Sequence, residues 1–367
     1  MFINQNKNQN NLYFMRLALE QAKRTLGNTK DNPAVGCVIT KNNTLISAGS
    51  TSLSGRPHAE HNAINFSKTD LNNSTLYATL EPCSHYGKTS PCVKKIINNK
   101  IKKVFFSIKD PDPRSFNKSA KHFKKKRITF NTGIYSKEIS NFYRSYLIYK
   151  IKKLPFLTCK LAVSKDFFTI NKKKKWITNQ YSRSRVHLMR SYHDCVMTSS
   201  ETIIKDNPLL SCRVAGLEKR SPSKIILDNK LRIPINSKII KDNSKYNTII
   251  FYNKINRKKI KSLNNLGIKL YKIPLDNENN LDLEKVLIKT KDLGFSRIFL
   301  ESGIKLSTSF FKMNLVNDFR IFISNIKIKK RGYGSVKSYF KSFLRYKKKK
   351  IEKVNLFGEK LISYKIK

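Results

Sequence analysis

The stretch LYFMRLALEQAKRTL (12–26) spaces its apolar residues three and four apart, the period of an amphipathic helix. Two apolar runs around a KNN turn, AVGCVIT (34–40) and TLISAG (44–49), predict a strand pair. A helix is expected to begin near His58. STLYATL (74–80) reads as a buried strand running straight into Glu81-Pro82-Cys83. A helix from about Pro91, the strand KVFFSI (103–108), a further helix and the short strand RITF (127–130) follow. The order helix, strand, strand, helix, strand, helix, strand predicts a three-layer α/β domain.

The expected junction is YRSYLIYKIKKLP, ending at Pro155, which divides the chain into domains of residues 1–150 and 151–367. The pattern then restarts with the strand FLTCKLAV (156–163), a helix over roughly 180–192 and the strand DCVMTSS. Later strands are KIILD (224–228), TIIFY (248–252) and RIFLES (297–302). LDLEKVLIKTKDLG has helical spacing and ends on Gly294, a suitable helix stop. The final KLISYKI alternates as a closing strand would, whereas the lysine-rich residues 326–352 show no clear period. This is a second α/β unit.

Composition changes the picture in one respect. Lysine and arginine number 75 against 24 acidic residues, a formal charge of +51. Such a balance ordinarily points to nucleic acid or an anionic surface. Here the excess is spread over the chain, 25 basic against 8 acidic residues in 1–150 and 50 against 16 in the remainder. It is mostly lysine among abundant asparagine and isoleucine, as base-composition drift produces. Nucleic acid is therefore disfavoured as the main partner, and attraction of a phosphorylated small substrate is compatible with the charge. The N-terminal residues lack a signal-peptide core and no apolar stretch is long enough for a membrane span. Six cysteines are then expected to be free thiols of a cytoplasmic protein.

Candidate chemistry gathers in RPHAEHNAI (56–64) and LEPCSHYGKTSPC (80–92). Alone, His58 reads as an ordinary histidine and a single cysteine as a small buried hydrophobe. Together, His-x-Glu at a helix start followed by a strand and two Pro-Cys pairs has the form of the zinc nucleoside and base deaminases. Catalytic zinc takes three protein ligands and keeps one position open for water. A carboxylate outside the metal shell must then carry protons from water to the leaving amine. His58, Cys83 and Cys92 suit the ligand role and Glu60 the carboxylate role. The neighbouring His61 is expected on the helix surface and His85 on a loop in the pocket wall.

Eight residues separate Cys83 from Cys92, where many deaminases have two. That spacing, with NPAVGCVI (32–39) upstream, resembles the bifunctional deaminase/reductase family of riboflavin biosynthesis. The pieces KLAVSKD (160–166), WIT (176–178), HLMRSYHD (187–194), TSSETIIKDNPLLSCR (198–213) and IFLESG (298–303) extend the resemblance, in family order, over nearly the whole chain. It implies a cytidine-deaminase-like domain followed by a dihydrofolate-reductase-like domain. Zn2+ would serve hydrolytic removal of an amino group from a diaminopyrimidinone ribosyl phosphate, and NADPH would reduce the ribosyl group to ribityl. It makes His58, Cys83 and Cys92 the zinc ligands, Glu60 the proton shuttle, and Asn32 and Lys88 substrate contacts. In the second half it implies cofactor contacts at Ala162, Trp176, Thr202, Asp206, Asn229 and Gly303. Substrate contacts would be Lys174, Arg190, Leu210, Arg213 and Glu301, with the two arginines as anion clamps. A homo-oligomer through the reductase half is also in keeping with it.

The second half departs from the family pattern at Phe167, where glycine is usual, at Asn207 in place of aspartate, and at Ile304 in place of proline. A deaminase carrying an inactive reductase domain is accordingly one alternative. A zinc deaminase acting on tRNA or another nucleic-acid base is a second. A basic scaffold with a structural zinc is a third, though it would need a fourth ligand and would leave Glu60 without a task.

Overall fold

The computed structural model describes residues 2–87, 89–171, 176–243, 247–328, 332–335 and 349–367. The chain divides into two compact units between Leu154 and Pro155. Among the described residues no helix is long and apolar enough to cross a membrane.

The first unit runs α1 (Phe2–Lys23), β1 (Gly36–Lys41), β2 (Thr44–Ser50), α2 (Ala59–Phe66), β3 (Thr75–Leu80), α3 (Cys92–Asn98), β4 (Lys103–Ile108), α4 (Lys118–Lys125), β5 (Thr129–Thr132), α5 (Ser136–Phe142) and α6 (Arg144–Ile151). Its five-stranded sheet has the order β2-β1-β3-β4-β5. The β1–β2 and β1–β3 pairs are antiparallel, and β3, β4 and β5 run parallel. Two glycines reveal the layers. A Cβ on Gly36 would lie 1.8 Å from the Ala18 carbonyl oxygen of α1, and one on Gly49 2.5 Å from the Ala63 nitrogen of α2. Gly49 pairs with Cys37, the neighbour of Gly36 in β1, so the two glycines face opposite sides of the sheet. Helices α1 and α2 therefore cover opposite faces, each at backbone-to-backbone distance, and the unit has three layers.

Two differences from the expected elements have simple causes. Helix α1 begins at Phe2 rather than near Leu12, because its first turns are Asn- and Gln-rich and carry no apolar period. The stretch read as the junction, 143–155, does end where the two units divide, but most of it is helix α6, and Tyr143 and Tyr146 are buried with Ile139 of α5 in the core of the first unit.

The second unit contains β6 (Phe156–Val163), β7 (Phe168–Asn171), α7 (Gln180–Arg190), β8 (Cys195–Ser199), α8 (Ser200–Asp206), β9 (Ser223–Leu227), α9 (Lys238–Lys241), β10 (Thr248–Tyr252), α10 (Arg257–Asn265) and β11 (Lys269–Lys272). It continues with α11 (Leu283–Asp292), β12 (Arg297–Glu301), α12 (Ile304–Lys312), β13 (Asp318–Ile323), β14 (Gly332–Ser335), β15 (Lys349–Ile351) and β16 (Lys360–Lys365). Nine strands form one sheet in the order β11-β10-β9-β8-β12-β6-β13-β16-β15, and β7 pairs with β14 separately. From β11 through β13 every neighbouring pair is parallel, while β16 and β15 close the edge antiparallel. Ligands of such sheets bind beyond the carboxyl ends of the strands. The ends of β9, β8, β12 and β6, four adjacent strands, carry Asn229, Thr202, Glu301 to Gly303 and Ala162.

Phe167, at the position where the resemblance implies glycine, has φ of +68°, in the left-handed region that favours glycine. The turn around it is tied by Asp166, which accepts from Ser164 Oγ at 2.6 Å and from the Ile328 nitrogen at 3.0 Å. Asn207 sits at φ +43°, which asparagine tolerates as the C-cap of α8.

Candidate functional site

In the first unit His58 is the N-cap of α2, in extended backbone conformation, so its ring projects from the helix start. Cys92 is the first residue of α3, and Cys83 follows β3 through Glu81-Pro82. His58 Nδ1 lies 3.5 Å from Cys83 Sγ and 3.4 Å from Cys92 Sγ, and the sulfurs are 3.4 Å apart. Zinc at bond lengths of about 2.3 Å to sulfur and 2.0–2.1 Å to nitrogen separates tetrahedral donors by roughly 3.5–3.8 Å. The triangle therefore fits that ion nearly as it stands. It is also the one set of three close metal-ligating side chains among the described residues. The Cys92 N–H reaches Cys83 Sγ at 3.4 Å, an additional donor to a thiolate. Contact with Cys92, together with His58, draws the Cys83 thiol down despite its burial. Burial instead holds the proton on Cys92.

Glu60 is buried one helical step from the triangle. Burial pushes its carboxyl up to about 7 against the opposing pull of His58. A carboxyl group balanced near neutrality can both take and return a proton. Helix α2 is held in place by Asn62, whose Nδ2 donates to the Ser50 carbonyl at 2.7 Å and to Ser52 Oγ at 2.9 Å. Asn32 packs against Gly55, three residues before His58, which brings it to the arm that carries the first ligand. Lys88 lies outside the described residues.

His61 differs from expectation. It is buried, and its Nε2–H donates to the Ser90 carbonyl at 3.0 Å. The loop between the two cysteines folds back over α2, which turns a nominal surface position into an interior one. Arg56 holds the same loop from the other side, donating from Nη1 to Thr89 Oγ1 at 2.7 Å. His85 is on this loop, its Nδ1 3.2 Å from Ser115 Oγ.

Sequence reasoning assigned no task to Glu81. Its buried carboxylate accepts from the backbone nitrogens of Asp110 (3.3 Å), Asn117 (3.2 Å) and Ser119 (3.3 Å) and from Ser119 Oγ (2.7 Å). It thereby ties the turn bearing Cys83 to the 110–119 loop. A glutamate at the end of an apolar strand was the available signal, but its partners lie 29 to 38 positions away.

In the second unit Arg190 of α7 meets Glu301, the last residue of β12. Nε donates to Oε1 at 2.6 Å and Nη2 to Oε2 at 3.0 Å, a bidentate and nearly buried pair. Arg190 Nη1 donates to the Ser211 carbonyl at 2.9 Å. The guanidinium expected to clamp an anion is thus committed to protein partners. Arg213 is exposed and touches His187, and buried Leu210, at φ +54°, shapes the turn before Ser211. Lys160 of β6 lies opposite Glu301 in the register, and burial lowers its ammonium. Arg190 and His187 meet at the Ser211 carbonyl, and through them Glu301 and Arg213 join the turn that follows Leu210, with His187 as the member the sequence reading omitted. Lys174 lies outside the described residues.

Of the positions expected to contact a dinucleotide, Ala162, Thr202, Asn229 and Gly303 lie at or just beyond the carboxyl ends of adjacent parallel strands. Gly303 is the N-cap of α12, and a Cβ there would meet nothing within 4 Å, which leaves room at the helix start. The buried Asn229 Oδ1 has no hydrogen-bond partner among the described residues, while its Nδ2 donates to the Asn279 carbonyl at 3.1 Å. Thr202 lies in the first turn of α8, its nitrogen 3.4 Å from Ser199 Oγ, and Asp206 is exposed at that helix's end. Ala162 is half-buried on β6. Trp176 is exposed, with the Arg183 guanidinium 5.1 Å from its ring centre.

Comparison with known proteins covers both units. A family model described as "Cytidine and deoxycytidylate deaminase zinc-binding region" matches residues 8–108, and one described as "RibD C-terminal domain" matches residues 155–354. The chain is 35% identical over 333 residues to a riboflavin biosynthesis protein RibD of Buchnera aphidicola, covering 85% of this chain and 86% of that one. It is 31% identical over 357 residues to the RibD of Aquifex aeolicus, covering 96% and 97%. Among solved structures, RibD of Acinetobacter baumannii superposes with a TM-score of 0.85 at 26% identity, covering 98% of this chain and 99% of that one. A diaminohydroxyphosphoribosylaminopyrimidine deaminase/5-amino-6-(5-phosphoribosylamino)uracil reductase from Thermotoga maritima gives 0.84 at 28%, with the same coverage.

Proposed function

The chain belongs to the bifunctional deaminase/reductase family of riboflavin biosynthesis, and from that premise we propose that its first unit, residues 1–150 in outline, deaminates a diaminohydroxyphosphoribosylaminopyrimidine and its second, 151–367, reduces the resulting 5-amino-6-(5-phosphoribosylamino)uracil. The observation that carries the reading is the His58–Cys83–Cys92 triangle with a buried carboxyl beside it.

His58, Cys83 and Cys92 would hold zinc, which when bound supplies a water acidic enough to act as nucleophile near neutral pH. Glu60 takes a proton from that water and delivers it to the departing amine, so that ammonia leaves and a ring carbonyl remains. Asn32 and Lys88 contact the substrate. In the second unit Gly303, Asn229, Thr202, Asp206, Ala162 and Trp176 would hold NADPH, which when bound would supply a hydride to C1′ of the ribose, the C1′–O4′ bond breaking and O4′ taking a proton to leave a ribityl chain. Arg213 is the exposed anion clamp for the phosphate. Arg190, Glu301, Lys174 and Leu210 shape the remainder of that pocket.

Six free cysteines support a cytoplasmic location. Self-association through the second unit belongs to the same reading, and light scattering measures it. The coverage of both halves by one family favours the two-step reading over a tRNA deaminase. The test is to supply the zinc-loaded chain with the diaminopyrimidine and NADPH and record product masses. A deaminated ribityl product is expected. A deaminated product that keeps its ribose would remove the second step, and unchanged substrate would remove the first.

A further inference from the structure

We propose that His187 is the positioning residue for Arg213, fixing its guanidinium toward the substrate phosphate by accepting a hydrogen bond at Nε2; this rests on the phosphate role given to Arg213 above. His187 lies on α7, one turn before Arg190, and its Nδ1 is 2.9 Å from the Ser211 carbonyl oxygen. Arg190 Nη1 also lies 3.3 Å from Nδ1, but it has the Ser211 carbonyl at 2.9 Å as its acceptor; a carbonyl only accepts, so the shorter contact puts the ring proton on Nδ1 and leaves a lone pair on Nε2. Arg213 Nη2 lies 3.1 Å from Nε2 and donates to it.

The same Ser211 carbonyl accepts from Arg190 Nη1. The tautomer of His187 is therefore set by the carbonyl that also anchors the Arg190–Glu301 pair. The ionisable groups facing the imidazole are Arg190, Arg213 and Glu301. Burial first, then Arg190, push His187 down to about 4, so the ring stays a neutral acceptor at working pH.

The consequence is functional division between two arginines. Arg190 is spent on Glu301 and Ser211. Arg213 is exposed and gives one nitrogen to His187. A long, solvated arginine loses side-chain entropy on gripping an anion. Holding it beforehand through His187 removes part of that loss and aims the remaining donors outward.

Two substitutions separate the two ring nitrogens. His187→Asn keeps a donor near the Nδ1 position and removes the acceptor, whereas His187→Gln places an acceptor at the reach of Nε2 and gives up the Ser211 bond. Steady-state reduction of 5-amino-6-(5-phosphoribosylamino)uracil by the full chain with NADPH, and calorimetric binding of ribose 5-phosphate, read the outcome. His187→Asn is expected to raise KM and weaken ribose 5-phosphate binding roughly 5- to 30-fold, with kcat nearly unchanged. His187→Gln should recover most of the loss. Arg213→Ala should show the same KM effect, and His187→Asn added to it should cost nothing further. A fall in kcat at unchanged KM, losses that add in the double variant, or a KM for His187→Gln as high as for Arg213→Ala would each overturn the inference. If Arg213→Ala itself leaves KM and phosphate binding unchanged, it is the reading of Arg213 that fails, and the inference with it.

Discussion

His58, Cys83 and Cys92 are drawn together from within 34 positions by one passage of helix, strand and helix, whereas Arg190 and Glu301 meet across 111. The first site is nearly complete once three short elements form. His58 and Cys92 stand at helix starts and Cys83 just beyond β3, on a turn that Glu81 ties to the 110–119 loop. The second site exists only when α7, β12 and the Ser211 turn are already packed on a parallel sheet. The difference teaches that residues of the first site can lose chemistry and leave the fold standing, while those of the second hold chemistry and fold together.

The sharpest way to break this comparison is at Glu60. Glu60→Gln keeps the shape and removes the proton carrier, so ammonia release should fall roughly 10²- to 10⁴-fold. Zinc content measured on the same sample should be unchanged, and so should reduction. Loss of the metal in this variant would mean that Glu60 is part of the triangle's support.

Glu301→Gln tests the opposite case. Its partner Arg190 is nearly buried, and leaving such a charge uncompensated costs about 3–5 kcal/mol. Denaturant unfolding should show that loss in the second unit, with reduction abolished and ammonia release retained. A fully stable but inactive variant would make this pair purely chemical and erase the contrast.

The sequence made these two regions unequally legible. The β1–β2 pair, the start of α2 at His58 and the entry of β3 into Glu81-Pro82-Cys83 follow from period, turn residues and proline, all local signals. The burial of His61 does not, because it is created by a loop that returns from beyond Cys83. Strand β13 escaped the reading although it lies beside β6 at the middle of the sheet. Its DFRIFI interrupts the apolar run with Arg320, which is satisfied by Asp318 and by Glu352 on a distant segment. His187 was visible as a residue one helical turn from Arg190, yet its acceptor role depends on Ser211 and Arg213, placed by a different loop.

A smaller effect sharpens the local site. Gly49→Ala places a methyl 2.5–2.6 Å from the backbone of α2 at Ala63 and Ala59. The helix must shift, at a cost of about 1–3 kcal/mol. Because α2 carries Glu60 and follows His58, ammonia release should decline with stability, and thermal unfolding of the variant checks both. Reduction should be spared.

The smallest expected effect is on pH. Burial lowers the folded-state values of His187 and of His193, while in the unfolded chain both titrate near 6.5. Below that value the unfolded chain binds more protons than the folded one, so stability is full above about pH 6.5 and declines as pH falls towards 4. Urea midpoints measured across this range should fall on the acid side, and a midpoint that rises instead would show the two rings charged in the fold.

Two sites of one chain perform two successive steps, and giving Glu60→Gln each compound in turn, with NADPH, and recording product masses separates them. The diaminopyrimidine should be returned unchanged while 5-amino-6-(5-phosphoribosylamino)uracil is reduced to its ribityl form at the rate of the unaltered chain. Continued ammonia release, or failure of both reactions together, would contradict that separation.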